Sequence, residues 1–518
     1  MSGSQILQPS VTIAIANATL AVQNTAQRVL LVGQKVAAGS APTGVLVQNL
    51  SSTGAPENAL FGQSSMLAAM VRAFKKVNEI VQVDAIPIDD NGAGVPRTVL
   101  FTVVGPATAA GTITVVAGSQ VDFTFTVAFA SGDTATVIAG NIVTAINANL
   151  STPFTASNIA GAVTLTADND GTVANDLGVE VKDITASAGV SVAAVTQGVA
   201  GATDPTLTGI LAVATGRYQA IVWPYRATAV LTSFLDPRFN PANTILDGVG
   251  FVTVQDTHAN ILTYLNALNT PSLAVFADKQ TTETRYLGPA QNAESYVKST
   301  LFAGIRALRL TPDASISRFL VSSASLDQFG GVALASLPYF NTPMADLPAI
   351  SPGRGWTLTE IEQVLTAGGS VIGMNFSGTS ALVGEVATTY KTDAAANPDP
   401  TFKFLEYVDT ASNVREYFFN NLKSRFAQSR LTQGSVTRGR DMANADVIRA
   451  FCEKLYLDLA GADFVLVQDG EAAITFYKDN LTITLDLSTG TAQITMLAPI
   501  VTQLRTIIAT IKIAFSTE

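Results

Sequence analysis

The chain has 518 residues, 47% of them hydrophobic and only 14% charged, with a formal net charge of −10. That length exceeds what one core ordinarily organises, so about two to four domains are expected, and the acidic balance excludes a nucleic-acid binder, whose affinity rests on clustered Lys and Arg. The charged fraction falls well below the usual quarter and mean hydropathy is +0.32, which calls for either a membrane or extensive burial against other chains.

The membrane alternative fails on inspection. A bilayer span needs about 20 residues nearly free of charge, and the best candidate, residues 497–515, is interrupted by Gln503, Arg505 and Lys512. The opening MSGSQILQPS lacks the basic and then apolar regions of a secretory signal. A single cysteine, Cys452, excludes a disulfide framework within the chain and fits synthesis in a reducing compartment. It sits in the apolar, helix-like run 447–459 and is expected to be a small core residue.

In chain order, residues 1–24 carry little core pattern, but Val11, Ile13 and Ile15 alternate with small or polar neighbours as a strand does. Residues 29–32 form a short apolar run closed by Gly33. Ser64 or Ser65 then caps a helix with Met66, Leu67, Met70, Val71 and Phe74 on one face and Lys75 and Lys76 in the last turn. With the apolar run 80–86, this predicts a βαβ unit. The composition shifts at Pro96: residues 101–200 hold no Arg, Tyr or Trp, and seven acidic residues against the single Lys182. A hairpin is expected over 112–127, a helix capped by Asp133 or Thr134 and carrying Val137, Ile138, Ile142 and Ile146, and a strand over 163–167. From about 205, strands at 220–223, 251–254, 273–276 and 319–322, with a helix over 257–268, predict that the α/β layer resumes. A polar linker follows at 391–401, then a helix near 441–459, strands across 463–496, and an apolar terminal strand over 507–515.

The motifs that imitate catalytic or ligand sites do not hold together. Gly378-Thr379-Ser380-Ala381 echoes a subtilisin-type serine motif, but the only histidine, His258, lacks the Gly-Thr that follows a subtilase histidine and is expected in the first turn of a helix. Residues 434–441 copy P-loop spacing with Arg440 and Asp441 where Lys and Ser or Thr are required. Asp168-Asn169-Asp170-Gly171 resembles the start of a calcium loop, yet Val173 and Val179 stand where Gly and Glu are needed, so a turn between strands is expected. One His and one Cys cannot build a dedicated soft metal site. No catalytic residue, cofactor or metal is therefore assigned.

Two features stand out instead. Lys423, Arg425, Arg430, Arg438 and Arg440 make five basic residues in eighteen without an acid, either a solvated loop or a docking face for an acidic partner. At the end of the chain, Ile507, Ala509, Ile511, Ile513 and Phe515 would line one face of a strand whose bare edge is an aggregation hazard. It must be paired, either within its own subunit or by addition to a neighbour's sheet, and Val11, Ile13 and Ile15 make the same offer.

In the order and character of several stretches the chain resembles the tail-sheath proteins of Mu-like contractile phages. These stretches are residues 61–74 (FGQSSMLAAMVRAF), 85–94 (AIPIDDNGAG), the Leu165–Asp176 region around Gly171, 206–225, and the ending PIVTQLR at 499–505. The resemblance implies a virion protein, assembled in the host cytoplasm as a helical homo-oligomer around a tail tube, with baseplate and tail terminator proteins as further partners and no direct contact with nucleic acid or membrane. Contraction would drive the tube through the host envelope. It also implies exchange of the N- and C-terminal strands between subunits, an insertion on the outer surface, and subtilisin likeness of fold only. The expected architecture is an α/β core of mixed sheet and flanking helices, a β-rich insertion and an α+β C-terminal domain. The divisions are 1–24 (arm), 25–100 and 204–390 (core), 101–203 (insertion), 391–505 (C-terminal domain) and 506–518 (strand arm). The alternatives are another virion component, such as a baseplate or capsid protein, or an α/β hydrolase.

Overall fold

The computed structural model describes residues 27–50, 54–119, 122–239, 245–279, 286–287, 294–310, 339, 344, 347, 355–374, 380–436, 441–461 and 466–502. The expected N-terminal strand, the strand at 319–322 and the terminal strand 507–515 lie outside them. Two compact units divide the chain, one over 25–317 and 339–405, the other containing 406–518.

The first unit begins as the periodicity predicts. Strand β1 (Arg28–Gln34), helices α1 (Pro56–Phe61) and α2 (Met66–Val77), and strand β2 (Gln82–Ile88) form a βαβ unit, with β1 and β2 parallel from Arg28↔Gln82 to Gln34↔Ile88. The Ser65 hydroxyl accepts from the Ala68 amide at 3.1 Å and caps α2, whose predicted apolar face is wholly buried. Gly33 lets that helix approach, since a Cβ there would lie 3.1 Å from Met70 Sδ.

A β-rich segment follows: β3 (Pro96–Val104), β4 (Gly111–Ala117), β5 (Thr124–Phe129), α3 (Ala135–Ala148), β6 (Phe154–Ile159), β7 (Ala162–Asp170), β8 (Val179–Lys182), β9 (Ser191–Val192) and β10 (Thr196–Gln197). One sheet is ordered β10-β3-β7-β6, with β9 also on β3. The hairpin β4–β5 is as expected, and Thr134 caps α3, which buries Ile138, Ile142 and Ile146. Val137, expected on that face, is exposed. The turn expected at Asp168–Gly171 is corrected: Asp168, Asn169 and Asp170 end β7. Their polarity serves tertiary bonding, for Asn169 Oδ1 accepts from the Met66 amide at 2.9 Å and Asn169 Nδ2 donates to the Lys35 carbonyl at 3.1 Å.

The chain then returns to the first sheet through β11 (Ala220–Val222), α4 (Ala229–Leu235), β12 (Val249–Asp256), α5 (His258–Asn266) and β13 (Leu273–Lys279). The short β14 (Tyr286–Leu287) pairs with β8 and completes a second sheet, β14-β8-β4-β5. Helices α6 (Ser295–Arg309) and α7 (Leu358–Thr366) precede β15 (Gly369–Met374) and β16 (Ser380–Val383). The order β16-β15-β13-β12-β11-β1-β2 is parallel except for β15–β16. Helices cover both faces, because Gly250 faces Leu231 and Leu235 of α4 while its neighbour Phe251 packs edge-on against Phe302 of α6. Burial on both sides explains why β12 and β13 read as continuous apolar runs. The polar stretch 391–401 is tied to this unit: the Asn269 side chain donates to Thr392 and accepts from the Lys391 amide at 2.7 Å.

The second unit holds α8 (Leu405–Phe426), β17 (Arg430–Leu431), β18 (Met442–Ala443), α9 (Ala445–Ala460), α10 (Glu471–Asp479), β19 (Thr482–Asp486) and β20 (Thr491–Thr495). Cys452 is fully buried in its core, beside Tyr456 and Tyr477, whose rings stack at 4.2 Å. Strands were expected across 463–496; α10 replaces the first of them, with Tyr477 turned into the core and its hydroxyl donating to the Cys452 carbonyl at 3.2 Å. The long α8 was not anticipated.

Candidate assembly surfaces

The residues that imitate an active site are built into secondary structure. His258 opens α5 as expected, after the Thr257 cap, with its ring edge-on to Trp356 at 6.3 Å. Ser380 starts β16, in register with Met374. Burial pushes the Cys452 thiol up to about 11, away from the thiolate a nucleophile needs. Among the described residues no group of three or more His, Cys, Asp or Glu could hold a metal ion, and no helix is long and apolar enough to cross a membrane.

The surfaces suited to association are in the second unit. Strands β19 and β20 pair from Thr482↔Thr495 to Asp486↔Thr491. Alternation directs Ile483, Leu485, Ala492 and Ile494 against the core, and Thr482, Thr484, Gln493 and Thr495 to solvent. Asp486 fixes the turn by accepting from the Ser488 amide and hydroxyl at 2.8 and 2.6 Å, bonds that hold its carboxyl down to about 2. Among the described residues no third strand joins this hairpin. Beyond it, Val467 and Ile500 form an antiparallel bridge, flanked by Gln468 N to Pro499 O at 2.9 Å and Val501 N to Leu466 O at 3.1 Å. The chain therefore leaves the described structure in extended, paired form. Val11, Ile13, Ile15, Ile507, Ala509, Ile511, Ile513 and Phe515 lie outside the described residues.

The basic run is only partly a loop. Lys423 and Arg425 occupy the last turn of α8, where the helix dipole favours cations, and Arg430 belongs to β17; all three are exposed. Lys423 Nζ lies 5.7 Å from the Phe419 ring and the Arg425 guanidinium 5.5 Å from the Phe426 ring. Arg438 and Arg440 are outside the described residues.

No family model matches the sequence. The Mu-like prophage FluMu tail sheath protein of Haemophilus influenzae is 26% identical over 454 residues, covering 86% of this chain and 84% of that protein. Along most of its length the chain is thus similar to a Mu-like tail sheath protein. Among solved structures, a sheath tail protein of Listeria innocua aligns with 94% of this chain and 95% of its own (12% identity, TM-score 0.45). The contracted helical sheath of the anti-feeding prophage aligns with 95% and 94% (10% identity, TM-score 0.44). Sequence reasoning expected strands across this region without singling out the β19–β20 hairpin; its signal is the alternation Thr-Ile-Thr-Leu-Asp and Thr-Ala-Gln-Ile-Thr around Ser488-Thr489-Gly490.

Proposed function

We propose that the chain is the structural subunit of a contractile phage tail sheath and has no enzymatic role. The observation that carries this reading is the 26% identity to a Mu-like tail sheath protein along 86% of the chain. In this reading the subunit polymerises helically around the tail tube, between baseplate and terminator proteins, in the tail of a virion assembled in the host cytoplasm. Heterologous contacts that do not close generate such open helices. Contraction draws on the difference between two packings of one sequence.

Subunits are linked, in the same proposal, by exchange of terminal strands carrying Val11, Ile13 and Ile15 and Ile507, Ala509, Ile511, Ile513 and Phe515. The β19–β20 hairpin supports this, because among the described residues no third strand joins it and its main-chain edges can receive one. Residues 101–203 form the outer insertion, and Lys423, Arg425, Arg430, Arg438 and Arg440 face the tail tube. Negative-stain microscopy of the overexpressed chain tests the main claim. Long hollow tubes are expected; discrete particles or monomers with hydrolase turnover would overturn it.

A further inference from the structure

Strand β6 ends its sheet: in the order β10-β3-β7-β6 it has β7 on one side and, among the described residues, no strand on the other. Its antiparallel pairing with β7 runs from Phe154↔Ala167 to Ile159↔Ala162, and just before it the Asp168 amide donates to the Pro153 carbonyl at 3.0 Å. In such a ladder alternate residues turn their N–H and C=O to the partner, and the residues between turn theirs away. Thr155, Ser157 and Ile159 therefore share Pro153's direction and bond β7, while Phe154, Ala156 and Asn158 aim their main-chain groups at the open edge. An edge of this kind is a template for a further strand, and charged residues or prolines usually spoil it. The sequence of β6, Phe-Thr-Ala-Ser-Asn-Ile, contains neither; Pro153 stands just outside it. Apolar side chains flank it instead, with Ile159 at its end 83% exposed and Leu150 before its start 66% exposed.

One side chain stands in the way. Asn147, in the last turn of α3, lies at the surface, yet its amide is bound twice to a single residue of the edge. Its Nδ2 donates to the Ala156 carbonyl at 2.9 Å, and its Oδ1 accepts from the Ala156 amide at 2.8 Å. A primary amide carries the donor and the acceptor of a peptide group side by side, so Asn147 fills the ladder position that a neighbouring strand would take. Ala156 is the middle of the three open residues, and a strand laid along the edge must displace Asn147. At one end of the seven-stranded sheet the same need is met by main chain. There Val47 and Ala85 exchange two bonds of 2.8 Å along the outer side of β2, and the Leu50 amide donates to the Val83 carbonyl at 2.9 Å.

We infer that Asn147 is an edge-closing residue: its amide caps the Ala156 backbone and denies β6 to the free strands of other copies of this chain. The identity of the excluded strand rests on the exchange proposed above; the capping of β6 does not. Main-chain bonding is alike at every sheet edge, so a chain that joins its copies through strands such as the one expected over 507–515 needs some edges closed. At β6 an incoming strand has to break two satisfied bonds and leave Asn147 without them, whereas at an empty edge it breaks none. Discrimination of this kind comes from a cost placed at the wrong site.

The test adds a synthetic peptide of residues 506–518 to the full chain, held below the concentration at which it assembles, and follows amide exchange across residues 154–158 by mass spectrometry. Peptide should leave exchange there unchanged in the wild type. In Asn147→Ala the Ala156 amide should exchange faster without peptide, and saturating peptide should then slow exchange across 154–158 roughly tenfold, as a backbone hydrogen bond of ordinary strength does. Adding Ala156→Pro, which removes the freed N–H at a position where an edge strand tolerates proline, should abolish that protection. If Asn147→Ala does not fold, Asn147→Ser, whose hydroxyl is too short to reach both groups, is read in its place. Tube formation by the wild type is scored separately by microscopy, so failure of the sheath reading leaves the exchange result readable. Peptide protection of β6 in the wild type, none in the folded variants, or loss of the folded state in both Asn147 variants would overturn the edge-closing role.

Discussion

Lys298 holds a buried ion pair in the first unit. Its ammonium is wholly buried and bonded to Asp278, whose own carboxyl is raised by burial even beside that cation. Replacing one partner of such a pair ordinarily costs about 3–5 kcal/mol, because the survivor is left charged and dry. Lys298→Met should therefore lower the urea midpoint of the first unit. The loss should be greater at pH 8 than at pH 5, since Asp278 without its partner takes up a proton more readily and its stabilising protonated form disappears as pH rises. A variant with an unchanged midpoint would show that the pair contributes nothing. The exposed Arg430 is the opposite case. At the tube-facing surface proposed for it, charge complementarity sets docking and weakens with salt. Arg430→Glu with Arg438→Glu should impair co-assembly with tail tube, measured by co-sedimentation, more than sheath self-assembly. Equal loss of both would assign these residues to folding instead.

At the scale of elements, what was legible depended on whether one force dominated. In β1, α2 and β2 the apolar spacing, the Ser65 cap and the closing basic residues all agree, so their order and pairing could be read directly. Helix α8 escaped because its buried positions Val408, Val414, Tyr417 and Phe418 are separated by polar and charged residues that are themselves buried, Asp409, Thr410 and Glu416 among them. Helix α10 read as strand because Ile474-Thr475-Phe476-Tyr477 has strand propensity, which tertiary placement of Tyr477 overrides. The end of β7 read as turn because Asp and Asn suit turns, whereas here Asn169 bonds the start of α2. The terminal strand raises the sharper question of where its partner lies. Burying Ile511, Ile513 and Phe515 gains about 1.5–3 kcal/mol each, so its removal must be felt either in the monomer or between monomers. A chain truncated after Arg505 is expected to melt as the full chain does and to make no tubes by electron microscopy. A truncated chain that still builds regular sheath would end the exchange proposal.

For the whole molecule, the β-rich segment leaves and re-enters the chain at one place. Val95 and Ala202 pair through two backbone bonds, 3.0 and 3.1 Å long, so the ends of the segment are side by side. Deleting residues 96–201 behind a short Gly/Ser bridge is therefore expected to leave chains that still assemble into tubes. Soluble, unassembled protein would show that the segment belongs to the lattice. The same arrangement governs how the molecule is made. Strand β1 gains β2 soon after synthesis, but its other neighbour, β11, is distant: Val29 pairs with Ala220. At about 5–20 residues per second, a ribosome needs roughly 10–40 seconds to deliver it. Closing a loop takes microseconds or less for short chains, and the entropy of a longer loop grows only slowly with length. Translation thus sets the interval in which Leu30 and Leu31 present an unpaired edge to solvent, and chaperones that hold nascent chains have that long to act on it.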